Sequence, residues 1–193
     1  MLLPIAPAGN GSWHFVGYHG LASHGGAVGA MVGVLIYKLV FRQEVGKILD
    51  WAAIATPLLG GFVRIGNFTN GEIVGRPTTL PWGVVFDSVD SLPRHPAQLY
   101  EAAYYFFLFF IVALIYKRMN YRHCRPTFYF GLIVAAVALF RIAIECVKEP
   151  QVSVEIEMTL NIGQWLSIPL AVVGVAVIIA AVLPRKKSKS GTR

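Results

Sequence analysis

Five apolar stretches, at about residues 24–41, 48–66, 97–116, 127–147 and 163–183, are each long enough to cross a hydrocarbon core, which takes roughly 20 helical residues. They constrain the fold more than any other feature. A backbone in lipid has to satisfy its own hydrogen bonds, and a helix does so within one segment. Charged residues make up only 14% of the chain, against about 25% in a soluble domain. Basic residues fall in alternate connections: Lys38, Arg42 and Lys47 in the first, Lys117, Arg118, Arg122 and Arg125 in the third, and Arg185, Lys186, Lys187, Lys189 and Arg193 in the tail. Such faces are cytoplasmic. The expected fold is an all-α integral membrane protein of about five transmembrane helices, N-terminus outside and C-terminus inside. Residues 1–23 form an external pre-span loop, 24–183 the membrane domain with an external loop at 67–96 that has room for short strands, and 184–193 a basic cytoplasmic tail.

The net charge of +7 follows this topology rather than a nucleic-acid surface. Cys124 and Cys146 have no CxxC spacing and give neither a disulfide framework nor a metal knuckle. His14, His19 and His24 recur every five residues, which is not a helical ligand spacing, so no metal is expected. Ser23 and His24 are adjacent without a GxSxG elbow, which argues against serine hydrolysis. The opening MLLPIAPAGNGSWHF lacks a signal-peptide pattern. An N-out start then implies either a reverse-anchor first span or further helices upstream of Met1.

Ionisable groups at membrane depth cost about 2.5–3.5 kcal/mol and mark function by default. His24, Arg64, Glu101, Arg141 and Glu145 all lie toward the outer half of their spans in this topology. Arg141 and Glu145 are spaced i, i+4 and share a helix face; they read either as a self-neutralising pair or as an arginine positioned for an anion. Arg64 opens RIGNFTNGEIVGR. There Gly66, Gly71 and Gly75, with Asn67 and Asn70, are expected to break the helix and present amide N–H groups beside the guanidinium. That combination suits a phosphate better than a snorkelling arginine does. In RHPAQLYEA, Pro96 marks an early helix position, with Gln98, Tyr100 and Glu101 in the first turns.

GLASHGG, RIGNFTNGEIVGR, RHPAQLYEA, FRIAIE and GQWLSIP, in this order, closely resemble the phosphatidylglycerol:prolipoprotein diacylglyceryl transferase family. The resemblance runs from about residue 20 to 183. It implies a bacterial inner-membrane enzyme with its active site toward the external side and no cofactor or metal. Its substrates would be phosphatidylglycerol and preprolipoproteins carrying a lipobox cysteine, the first step of lipoprotein maturation. By motif matching, Arg64, Asn67 and Gly75 fall on functional positions of the signature, His24 on the histidine of the HGG element, and Arg141 on the arginine of the late span with Glu145 beside it. Arg64, Arg141 and His24 form the expected catalytic set, His24 as thiol base. Asn70 and Glu101 complete the expected substrate-binding set. The family usually has seven spans, of which this chain shows the last five, so Met1 reads as an internal methionine. The alternative is a non-catalytic relative that only binds anionic lipid; a transporter lacks the inverted repeat it would need.

Overall fold

A computed structural model describes residues 5–7, 13–15, 22–42, 44–119, 125–150 and 160–183. They belong to two compact units, Met1–Val45 and Gly46–Arg193. The first holds an antiparallel hairpin of β1 (Ile5–Pro7) and β2 (Trp13–Phe15), with Ile5 opposite Phe15, and the helix α1 (Ala22–Phe41). Leu35, Leu39, Val40 and Phe41 stand exposed along the later turns of α1.

The second unit runs α2 (Val45–Thr69, all but its first residue), β3 (Val84–Val85), β4 (Pro93–Arg94), α3 (Ala97–Arg118), α4 (Phe128–Ile144) and α5 (Ile162–Val182). This is an all-α membrane protein, and the five helices among the described residues fall on the five expected stretches. By length and composition α2, α3 and α5 suffice to cross a membrane, while Val32–Phe41 and Phe128–Ile144 are shorter apolar helices. Apolar side chains such as Leu59, Phe62, Phe107, Phe110, Leu166 and Val172 remain exposed on the long helices, as lipid-facing surfaces would.

Helix boundaries have local causes. Pro96 precedes α3 at φ −74°, where its missing N–H costs nothing. Ahead of α5, the backbone N–H of Asn161 donates to Gln164 Oε1 at 3.3 Å. The first turn of α4 takes its acceptor from α2: the buried Asp50 carboxylate receives N–H of Thr127 at 2.9 Å and of Phe130 at 2.8 Å. Those amides would otherwise be orphans at a positive helix end.

Glycines set how closely the helices approach. A Cβ on Gly174 of α5 would stand 2.5 Å from Ala135 N, and one on Gly131 would meet Gly174 O at 3.0 Å, so α4 and α5 touch along a seam of small residues. On α2, a Cβ at Gly60 would meet Tyr105 at 3.2 Å and one at Gly61 would meet Phe106 at 2.6 Å. Elsewhere Ala53, Val112, Tyr129 and Ile133 make a buried apolar cluster.

Two expected boundaries move. α2 does not stop at residue 66 but runs to Thr69. Gly66 is therefore helical, and the break comes at Gly71, φ +66°, and Ile73, φ +55°. α4 ends at Ile144, short of 147, because the chain tightens into turns, Cys146 N–H to Ala143 O and Val147 N–H to Ile144 O. Lys148 can then pair with Gly75 as an antiparallel bridge. Between α2 and α3 the expected short strands appear, Val84 opposite Arg94. Arg94 clasps this segment by donating to Asp90 Oδ2 at 2.6 Å, Gly75 O at 3.1 Å and Glu149 Oε2 at 3.2 Å. Hydrogen bonds from Arg94, then from the Leu92 N–H, hold the Asp90 carboxyl below its ordinary value.

Candidate active site

The last turns of α2 carry Arg64 and Asn67, one turn apart on a single face. Beyond them the chain folds back: Glu72 N–H donates to Asn67 O at 2.9 Å, and Asn67 Nδ2 donates to Glu72 Oε2 at 3.0 Å. Gln98 Nε2 of α3 reaches Glu72 O at 2.6 Å, which ties the second motif to the first.

Arg64 begins a row of charges whose middle members, Glu101, Lys148 and Glu145, are buried. Its Nε lies 3.1 Å from Glu101 Oε2, and the other oxygen of Glu101 accepts from Lys148 Nζ, also at 3.1 Å. Lys148 lies 3.5 Å from Glu145 Oε1, and Glu145 meets Arg141 at 3.4 Å. The order Arg64, Glu101, Lys148, Glu145, Arg141 alternates in sign and leaves one net positive charge. Glu101 is fully buried and the side chain of Lys148 is 3% exposed. Charges this deep are tolerated when paired; Glu101 Oε2 has the Arg64 guanidinium beside it but no hydrogen-bond partner among the described residues. Glu145 completes its set with Asn161 Nδ2 at 3.1 Å. The GQWLSIP motif makes room for it, since a Cβ on Gly163 would stand 2.5 Å from Glu145 Oε1. Gln164 donates to Ile142 O and Ser167 to Gly163 O.

Beside this row lies a cavity of about 450 Å³ whose walls include Pro57, Gly60, Arg64, Asn67, Tyr105 and Val137. Its walls are mainly apolar, with a guanidinium and an amide on one side. Such a cavity accepts an amphiphile with an anionic head, and terminal guanidinium nitrogens grip phosphate oxygens well.

The expected site residues divide accordingly. Arg64 and Asn67 share the cavity, Glu101 holds Arg64, and Arg141 and Glu145 join at the far end of the charge row. Arg141 connects through that row and is not a wall of the cavity. Asn70 is exposed at the turn after α2. The expected cradle of free amides gives way to a folded turn: the N–H groups of Asn70, Gly71, Glu72, Gly75 and Arg76 all donate to backbone carbonyls. Gly75 serves close approach, since a Cβ there would stand 2.5 Å from His95 O. His24 lies in α1, and its side chain is outside the described residues. Lys148 and Tyr105 escape the sequence reading. Lys148 counts there only as an outer-face cation, although it follows Glu145 by three residues. Tyr105 hides in the aromatic run YYFF, although it follows Glu101 by four.

Comparison with known proteins agrees with the motifs. The family model described as prolipoprotein diacylglyceryl transferase matches residues 11–180. A phosphatidylglycerol--prolipoprotein diacylglyceryl transferase of Bacteroides fragilis is 43% identical over 175 residues, covering 91% of this chain and 63% of the relative. That of Tolumonas auensis is 40% identical over 163 residues, 83% of this chain and 62% of its own. That of Chlamydia pneumoniae is 37% identical over 189 residues, 92% and 64%. The chain thus spans a little under two thirds of the length of these relatives. With its family model matched along residues 11–180, the chain belongs to the prolipoprotein diacylglyceryl transferase family.

Proposed function

We propose that this chain binds phosphatidylglycerol with its phosphate at Arg64 and transfers the diacylglyceryl group to the lipobox cysteine of a preprolipoprotein. The thiol sulfur attacks the glycerol carbon that bears the phosphate, a C–S bond forms, the C–O bond breaks, and glycerol phosphate leaves with the electron pair. Arg64 and Arg141 supply the fixed positive charge that stabilises the departing anion. Asn67 and Gly75 shape the phosphate end, with Asn70 at its rim. Glu101 and Glu145 hold the two arginines in place. His24 takes the thiol proton, a task its ordinary pKa near 6.5 suits. The five helices cross a bacterial inner membrane with the N-terminus outside and the C-terminus inside, so the site opens on the external face.

The observation that carries this reading is Arg64, held by a buried carboxylate at the polar edge of an apolar cavity, in a chain of this family. The test reconstitutes the chain in phosphatidylglycerol liposomes with a lipobox peptide and follows the thioether product by mass spectrometry. Wild type forms product, and Arg64→Gln lowers the rate about 10²–10³-fold, as loss of one oxyanion donor does. Binding of phosphatidylglycerol without product supports the non-catalytic lipid-binding alternative. Binding no tighter than that of phosphatidylcholine overturns both.

A further inference from the structure

Tyr105 follows Glu101 by four residues and so shares its face of α3. Its ring is buried, 6% exposed, seated against Gly60 and edge-on to Phe140 at 6.4 Å. It nevertheless forms part of the cavity wall together with Arg64 and Asn67.

The hydroxyl has an unusual position. Arg64 lines the same cavity as Tyr105, and a guanidinium only donates. The O–H proton therefore goes elsewhere, and among the described residues no protein atom accepts it. Neighbouring tyrosines differ. Tyr104 donates to Ala136 O at 2.9 Å, and the Tyr100 hydroxyl has a ring nitrogen, His95 Nδ1, within 3.3 Å. Glu101, one turn earlier, is ion-paired with Arg64 and Lys148, and among the described residues its Oε2 receives no hydrogen bond, from Tyr105 or any other donor. Buried hydroxyls find partners, so the acceptor is supplied from the cavity.

We infer that the Tyr105 hydroxyl donates a hydrogen bond to a phosphodiester oxygen of the lipid held by Arg64, as a second phosphate contact contributed by α3. The inference rests on the proposed phosphatidylglycerol site and adds a residue to it. A phosphodiester suits the place because its free oxygens accept from both groups and carry the charge that Arg64 requires. The glycerol and acyl carbons fit the apolar walls. Diacylglycerol lacks the phosphate and would leave the phenol without its partner.

The experiment measures equilibrium binding of phosphatidylglycerol and of diacylglycerol to the purified chain in neutral micelles. The ratio of the two affinities isolates the phosphate contacts. Wild type prefers phosphatidylglycerol, Tyr105→Phe shrinks that preference about tenfold, and Tyr104→Phe leaves it unchanged. If Tyr105→Phe keeps the wild-type preference while Arg64→Gln loses it, the tyrosine assignment fails and the lipid site stands. If wild type shows no preference, or Arg64→Gln keeps it, the lipid site fails and the tyrosine role with it. A second measurement keeps the native fold: 3-fluorotyrosine at position 105, read by fluorine NMR. Its resonance shifts on adding phosphatidylglycerol and not on adding diacylglycerol; an equal response to both, or to neither, overturns the proposal.

Discussion

Glu101→Gln probes the charge row at its most buried member. The carboxylate lies 3.1 Å from each of two cations, and at an effective dielectric of about 20 each attraction is worth roughly 5 kcal/mol. Most of that is returned, because a neutral amide escapes the cost of burying a charge and its carbonyl still accepts one hydrogen bond. What remains is Lys148 and Arg64 facing each other across a group that no longer balances them. Breaking a buried pair in this way costs about 3–5 kcal/mol, a large share of a stability of about 5–15 kcal/mol. The assay is reversible unfolding in mixed micelles, followed by far-UV circular dichroism. Lys148→Met alone is expected to cost a similar amount, because it leaves Glu101 and Glu145 underpaired. The double variant Glu101→Gln/Lys148→Met removes one charge of each sign and costs at least 2 kcal/mol less than the two single losses added. Additive losses, agreeing to within about 0.5 kcal/mol, would mean that the two groups do not sense each other and that the charge row is not coupled.

Three further outcomes follow from the fold. Asp50→Ala leaves the Thr127 and Phe130 amides without their acceptor and lowers stability by about 1–2 kcal/mol in the same unfolding assay; Asp50→Asn recovers part of the loss. Gly174→Leu drives a side chain into the Ala135 backbone and costs about 1–3 kcal/mol or more, whereas the same change at Gly66, with nothing within 4 Å of its Cβ, costs far less. The Asp90–Arg94 clasp depends on pH. Because the folded-state pKa of Asp90 is depressed below its ordinary 3.8, the contribution is present above that value and is lost as pH falls through the folded one. Amide exchange in residues 77–96 is therefore expected to speed up at strongly acidic pH, and Asp90→Asn to bring that mobility to neutral pH.

The helices were legible because an apolar run of about twenty residues has few alternatives, and the sequence reading places all five to within a few residues. Arg64, Glu101, Arg141 and Glu145 were legible for the complementary reason that each is a charge where none is cheap. The turn after α2 is less legible because a glycine does not by itself break a helix. Gly66 sits inside the helix without penalty from any neighbour, while the reversal uses Gly71 together with Ile73, a β-branched residue in a left-handed conformation that composition does not announce. Lys148 was hidden by its position just beyond a span, where a lysine ordinarily reaches water. Its burial comes from long-range pairing with Glu101, 47 residues away. Tyr105 is masked by its aromatic neighbours; its packing on Gly60 and its place in the cavity wall, against the bond of Tyr104 to Ala136 O, appear only in the fold.

The segments after α2 and after α4 are joined by main-chain bonds: Arg76 N–H to Val147 O at 2.9 Å, Glu149 N–H to Val74 O at 3.2 Å, and the bridge of Gly75 to Lys148. Successive residues of paired extended chains point to opposite sides. One residue inserted between Glu145 and Lys148 would therefore turn the lysine away from Glu101 while leaving every residue type in place. The same holds for an insertion between Gly71 and Gly75, which would also push a side chain toward His95. Substitutions on these two segments are thus judged one side chain at a time, but their lengths are coupled. A relative that gained or lost a residue in one of them would need a compensating change in the other to keep Arg64, Glu101 and Lys148 in line.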